Sequence, residues 1–344
     1  MRDHLVQVFM RPAALLLAAL FLTACGQDAK PRVIGFTGQT MGTSFTLKWV
    51  VQDISQVDDI RQEAEQLLAQ INQSMSTYIS DSELSLLNSS QDSSAVPVSN
   101  ELFEVLSLAQ AVSHNTQGAF DITVGPLVNL WGFGPDGRVI KAPDPQQISL
   151  LKNTVGYQRI QLNSDLQQLS KPAGMYMDLS AVAKGYAVDK LAGLLVARGI
   201  ENYLAEIGGE LRAAGLKPDG VSWRIAVESP ISGKRSIQRI IEVVDIGIAT
   251  SGDYRNYFEQ DGVRFSHTID PANGRPISHK LASVTVLRPT CAEADALATA
   301  FMVMGEDEAY RYALDNDISA MFIVKNGDGF IEKTSPGFTQ YIVE

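Results

Sequence analysis

The sequence predicts an α+β domain built on a largely antiparallel sheet. Strand-like segments cluster and are interspersed with helices, without the regular strand–helix alternation of a parallel α/β fold. No internal repeat, low-complexity tract or long linker divides the chain, so one domain over 33–344 is expected. No GxGxxG, P-loop or Cys/His zinc spacing marks one of the common nucleotide or zinc folds.

The N-terminal segment stands apart from that domain. Arg2 and Arg11 precede an apolar run at 13–22. At about ten residues it falls short of the roughly 20 that a membrane-spanning helix needs and suits the apolar region of a secretory signal. It ends in Leu22-Thr23-Ala24-Cys25, which resembles a bacterial lipobox. On that reading 1–24 is removed, Cys25 is acylated, 25–32 is a tether, and the body sits on the periplasmic side of a membrane. Multiple acylation fits the need for more than one chain in a stable anchor. An ordinary signal peptide or a short buried helix are the alternatives. Gly26 is not the aspartate typical of inner-membrane retention, which points outward and leaves inner versus outer membrane open. The chain has two cysteines. With Cys25 committed to lipid no disulfide is expected, and Cys291 reads as a small buried residue. A net charge of −11 offers no basic field for nucleic acid.

Within the domain, 33–51 alternates around Gly38 and Gly42 as a strand pair, with Phe45, Leu47 and Trp49 on one face. The stretch 58–75 carries Ile60, Ala64, Leu67, Leu68 and Ile71 at amphipathic-helix spacing. A short helix follows from 81 to about 88, then a polar loop to 94. Ser99 caps a helix to about 115. The Gly-, Pro- and aromatic-rich stretch 118–137 reads as irregular. A helix starts after Pro145, and 159–169 reads as a hairpin. Asp178 is expected at the end of a strand, ahead of a helix over 182–198 that Gly199 stops. Strand patterns dominate 203–249 and recur at 283–287. A helix apolar on nearly every side spans 293–304, a second helix 309–314, and late strands 319–324 and 338–343.

Four constellations carry chemistry. Asp295 and Thr299 are four apart and share a helix face. A carboxylate in an apolar helix needs a partner, and two hard oxygens favour Mg²⁺ or Ca²⁺; alternatively Asp295 caps the helix start and Thr299 bonds its own turn. Asp178 and Lys184 flank a helix start, where backbone donors suit an anion; alternatively Asp178 is an N-cap and Lys184 a solvated lysine. His267 precedes the turn signals Asp270-Pro271 and Asn273-Gly274. It is either a base or a satisfied structural histidine. The segments 39–43 and 118–123 pair glycine with Met or an aromatic, suiting close approach to a flat ligand or a simple bulge.

Taken in chain order, these segments resemble the FAD:protein FMN transferases of the ApbE family. The resemblance rests on Met41-Gly42-Thr43, Met75-Ser76-Thr77-Tyr78 with Ser82-Glu83, Gly118-Ala119-Phe120-Asp121, Asp178-Leu179-Ser180-Ala181-Val182-Ala183-Lys184-Gly185, Ile207-Gly208-Gly209-Glu210, Ser251-Gly252, His267-Thr268-Ile269-Asp270-Pro271 and Ala294-Asp295-Ala296-Leu297-Ala298-Thr299. It implies a fold related to the tunnelling fold. Met41, Tyr78, Ala119, Phe120, Asp121, Asp178, Lys184 and Ile269 match positions that contact FAD, and the Ala181 carbonyl, Asp295 and Thr299 match Mg²⁺ ligands. The implied reaction moves FMN from FAD to a threonine in a Ser/Thr/Gly-rich motif of flavoprotein subunits in membrane redox complexes, and AMP leaves. His267, or Asp295 directly or through water, would take the hydroxyl proton. Glu210 stands where many relatives carry Asp. Two rivals use the same residues: an Mg²⁺-dependent FAD pyrophosphatase with water as acceptor, and a non-enzymatic FAD-binding lipoprotein.

Overall fold

The computed structural model describes residues 30–51, 57–135, 137, 141–231, 236–254 and 256–343; the signal segment and Cys25 lie outside them. The strand pair expected at the start is β1 (Arg32–Thr40) and β2 (Thr43–Val51), in register from Arg32↔Val51 to Thr40↔Thr43. Phe45, Leu47 and Trp49 are all buried, as the alternation requires. Next come α1 (Val57–Met75), α2 (Glu83–Ser89), β3 (Val96–Pro97) and α3 (Asn100–Asn115). Ser82 and Ser99 cap α2 and α3 by accepting the N–H groups of Ser85 and Leu102.

The stretch expected to be irregular is partly ordered. A 3-10 turn at Ile122–Val124 runs into α4 (Gly125–Leu130), which Pro126 can open because a helix's first N–H groups have no intrahelical acceptor. After α5 (Pro145–Lys152), β4 (Gln161–Asn163) and β5 (Gln168–Ser170) form the expected hairpin. Asp178 is not at the end of a strand. Its segment is an extended loop, held because Asn88 both accepts from Met177 N–H and donates to Met177 carbonyl, each at 2.8 Å, and because Asp178 N–H donates to Ile122 carbonyl at 2.7 Å.

The loop feeds α6 (Ala183–Ala197), then β6 (Tyr203–Ile207), β7 (Glu210–Ala214), β8 (Trp223–Glu228), β9 (Ile237–Val243) and β10 (Ile246–Gly252). Short hairpins follow: β11 (Tyr257–Gln260) with β12 (Val263–Ser266), and β13 (Ile269–Asp270) with β14 (Arg275–Pro276). The chain closes with β15 (Leu281–Arg288), α7 (Cys291–Met304), α8 (Glu306–Asp315), β16 (Ser319–Asn326), β17 (Gly329–Thr334), α9 (Pro336–Thr339) and β18 (Ile342–Val343). The late strand expected over 338–343 is therefore a helical turn with Phe338 buried, and only its last residues pair, with β9. β17 carried no sequence expectation because Gly329, Phe330 and Ile331 lie exposed at the sheet edge.

The main sheet has eight strands in the order β1-β2-β6-β7-β10-β15-β16-β17, every neighbour antiparallel. Helices α1, α3, α6, α7 and α8 contribute to the larger core on one face. The small sheet β18-β9-β8 covers the other, packing Trp223, Ile225 and Ile241 on Ile248, Leu287, Met321 and Ile323. Double coverage explains why β15 is buried over seven consecutive residues although it is antiparallel. A third, smaller cluster joins α4, α5, the β11–β12 hairpin and β13 through Leu127, Trp131, Ile148, Phe258 and Ile269.

Candidate functional site

Two turns meet at one end of the main sheet. Met41 and Gly42 both take left-handed φ, +48° and +72°, the paired positive dihedrals of a tight hairpin turn. Gly208 has φ +62°, and a Cβ there would lie 2.9 Å from Thr43 Cγ2, so glycine lets the β6–β7 turn close against the first one. Beside them α6 and α7 cross. A Cβ on Gly185 would sit 2.5 Å from the Cys291 carbonyl oxygen, so the helices approach this closely only because Gly185 has no side chain.

That approach organises Asp295. Gly185 N–H donates to Asp295 Oδ2 at 3.0 Å. The ladder of α6 begins with Tyr186 N–H on the Val182 carbonyl, so it leaves the Ala181 carbonyl unused. Asp295 does not cap α7. Thr290 accepts the Glu293 N–H, while Asp189 of α6 accepts the N–H groups of Cys291 and Ala292 at 3.0 and 2.9 Å and pairs with Arg212 at 2.8 Å. Asp295 therefore lies inside the helix, 3% exposed, with Thr299 half-buried one turn on.

Lys184 pairs with Glu210 at 2.6 Å. Burial alone would lower the Lys184 ammonium, but the Asp295 and Glu210 carboxylates outweigh it and hold it above the usual lysine range. Burial pushes both carboxyls up, Asp295 to about 7, and Lys184 pulls each back in part. Glu210 Oε2 has no hydrogen-bond partner among the described residues. Two buried carboxyls face one ammonium, an arrangement that a further cation would complete. Cys291 is fully buried, its thiol donating to Ile248 carbonyl at 3.4 Å and pushed up by burial, as expected of a small interior residue.

The remaining sequence candidates divide between packing and access. Ala119 is partly buried against the main core, and the Phe120 ring is inside it. Asp121 Oδ1 accepts from Thr123 N–H and Oγ1 at 2.8 and 2.6 Å, and Oδ2 accepts from Tyr157 N–H at 3.0 Å, so this carboxylate shapes the 118–124 loop. Asp178 does not cap α6, whose cap position is Val182; its Oδ1 accepts from Ser180 N–H and Oγ at 2.8 and 2.5 Å. Tyr78 is 70% exposed. Its hydroxyl is raised by partial burial and by the field of the Asp178 carboxylate. Ile269 is buried in the third cluster. His267 Nδ1 lies 3.0 Å from the Asn256 carbonyl, and burial holds the imidazole below its usual value while Asp253 raises it and Lys184 lowers it.

Sequence reasoning missed Asp189, Arg212 and Asn88, which fix the geometry across 23 to 103 residues of chain; no local pattern marks such pairings. The signal for Gly185 was available, as a glycine in the first turn of an otherwise strong helix.

The model of the ApbE family matches residues 41–322. The chain is 45% identical over 334 residues to an FAD:protein FMN transferase of Vibrio cholerae, covering 97% of this chain and 99% of that protein. It is 39% identical over 347 residues to an FAD:protein FMN transferase of Escherichia coli, covering 98% and 99%. Among solved structures, a flavin transferase ApbE from Vibrio cholerae aligns with a TM-score of 0.84 at 45% identity, over 90% of this chain and 99% of that one. The apbe protein of Thermotoga maritima gives 0.81 at 28% identity, over 91% and 100%. The helices and antiparallel sheet expected from sequence are the architecture these structures share.

Proposed function

This chain belongs to the ApbE family and is an enzyme that transfers FMN from FAD to protein, and from that premise we propose that the transfer is Mg²⁺-dependent, releases AMP and ends on a threonine. The observation that carries the metal reading is Asp295, a carboxylate buried inside an apolar helix with Thr299 one turn on and the Ala181 carbonyl outside the ladder of the neighbouring helix. Among the described residues no three His, Cys, Asp or Glu side chains cluster to cage a metal. One carboxylate, one hydroxyl and one carbonyl, completed by phosphate oxygens, is a donor set suited to Mg²⁺. When bound there, the ion would neutralise charge on the pyrophosphate as the bond breaks.

The chain's own residues supply the rest. Lys184 would place its ammonium on the phosphate or flavin oxygens, and Met41, Tyr78, Ala119, Phe120, Asp121, Asp178 and Ile269 would wall or brace the flavin site. The acceptor Oγ forms a bond to the FMN-side phosphorus, the P–O bond to AMP breaks, and the hydroxyl proton passes to His267. His267 suits that task better than Asp295, because burial keeps its imidazole neutral, whereas Asp295 is engaged by Gly185 and Lys184. Acceptors are flavoprotein subunits of membrane redox complexes carrying the threonine in a Ser/Thr/Gly-rich motif.

The test is direct. Full-length body, FAD, Mg²⁺ and an acceptor domain should give one FMN added to the acceptor by intact mass, with AMP in equal amount, and chelation should stop both. An adduct formed at full rate under chelation removes the metal from the reading. Free FMN accumulating without acceptor favours the pyrophosphatase. Anchoring through Cys25 on the periplasmic side completes the proposal; Cys25→Ser should move the protein from the membrane to the soluble fraction, and unchanged fractionation would refute it. Among the described residues no helix is long and apolar enough to cross a membrane.

A further inference from the structure

The third, aromatic cluster ends at His267. Trp131 and Phe265 stack with ring centroids 5.4 Å apart, Phe265 and Phe258 at 5.0 Å, and Phe258 and Phe133 at 5.7 Å. The edge of the series meets the imidazole, where Phe133 and His267 sit 6.3 Å apart at 71°. Its far end is tethered, since Trp131 Nε1–H donates to Gly274 carbonyl at 2.9 Å, in the turn between β13 and β14. Rings stacked in this way form a stiff block, and it spans both chain segments flanking His267.

The other side of the imidazole meets a carbonyl. Asn256 oxygen lies 3.0 Å from His267 Nδ1 and also accepts the His267 backbone N–H at 3.2 Å. A carbonyl can only accept, so Nδ1 must carry the hydrogen. Among the described residues no hydrogen bond engages Nε2. Asp253, which faces the imidazole, is itself pinned. Asp253 N–H donates to Ala282 carbonyl at 3.1 Å, Asp253 carbonyl accepts from Arg264 at 2.6 Å, and its carboxylate pairs with Lys325 at 2.5 Å.

We propose that Phe133 and the Asn256 carbonyl form a mount for His267, fixing the Nδ1–H tautomer and leaving Nε2 as the lone-pair nitrogen for the acceptor's proton. The inference rests on the reading of His267 as the base and names the positioning residues behind it. An imidazole turned over, with its hydrogen on Nε2, would present a donor where an acceptor is needed. Phe133 acts by excluding water from the ring, which favours the neutral imidazole. The charges facing it are Asp253, which favours protonation and is itself tied to Lys325, and Lys184 from α6, which opposes it.

The experiment uses the full body with an acceptor domain, compares wild type with Phe133→Ala and Phe133→Leu, and reads two quantities. Nitrogen-15 shifts of the imidazole report tautomer and titration; the pH profile of the transfer rate reports the working base. Wild type should show hydrogen on Nδ1. Phe133→Ala should raise the imidazole pKa toward the ordinary value of about 6.5 and lower the rate several-fold near pH ~5.5 with little change near pH ~8. Phe133→Leu, still apolar, should keep both near wild type. Hydrogen found on Nε2 in wild type overturns the mount, as does a Phe133→Ala titration that does not move. The base reading is judged separately: His267→Gln transferring at the wild-type rate overturns that reading, while the nitrogen shifts still decide the mount.

Discussion

Replacing Asp295 with asparagine should abolish covalent flavin transfer while leaving the protein folded. The substitution keeps an oxygen at the point where Gly185 N–H donates and removes only the charge. A cation held by one carboxylate, one hydroxyl and one carbonyl loses its sole protein charge, so the transfer rate should drop at least 10²-fold, or about 3 kcal/mol of transition-state stabilisation. Asp295→Ala should lose the reaction equally and in addition leave a buried N–H unpaired, which costs about 1–3 kcal/mol. Intact-mass assay of the acceptor, calorimetric titration with Mg²⁺ and FAD, and urea unfolding separate these effects. Asp295→Asn transferring flavin near the wild-type rate would remove the ion from Asp295.

Replacing Lys184 with methionine should damage both activity and stability, and the two losses should be separable. Glu210 is 4% exposed and would remain buried without its ammonium. Breaking a buried pair from one side costs about 3 kcal/mol or more. The sign with pH follows from Glu210, whose carboxyl is already raised by burial and would rise further without Lys184. A carboxyl with a higher pKa folded than unfolded is protonated in the native state while the unfolded chain ionises. Stability of the variant should therefore fall as pH rises above the unfolded glutamate value near ~4.3 and recover below it. The double variant Lys184→Met with Glu210→Gln should regain the share of stability that belongs to Glu210, with Asp295 still unpaired, and none of the activity. Thermal melts across pH with the transfer assay check this; recovered activity in the double variant would show that the ammonium does not touch substrate.

Local chemistry made much of the fold readable. Ser99 and the apolar stripe of 102–109 announced α3, and the alternation of Phe45, Leu47 and Trp49 announced β2, because capping and period are properties of a few adjacent residues. The 118–137 stretch was misread because Pro126 and the flanking glycines look like breakers, while the helix they bracket is stabilised by distant partners such as Gly274 and Ile148. Phe338 was placed in a strand since an apolar residue at a chain end fits either element, and tertiary burial decided it. The candidate site was marked by resemblance more than by spacing. Asp295 and Thr299 four apart left a cap and a metal ligand equally open, and the cap reading alone was removed, by Thr290 and by Asp189 taking over the capping from another helix.

That substitution has a consequence for where negative charge can settle. The start of a helix ordinarily attracts anions through its free amides, yet at α7 two of those amides already face an internal carboxylate. A phosphate brought to this corner would find those amides already taken by Asp189, whose charge is in turn paired with Arg212. On the function proposed above, the dinucleotide would then be held from the Lys184 side of the crossing, so the aspartate that fixes the helix also closes one approach to the site.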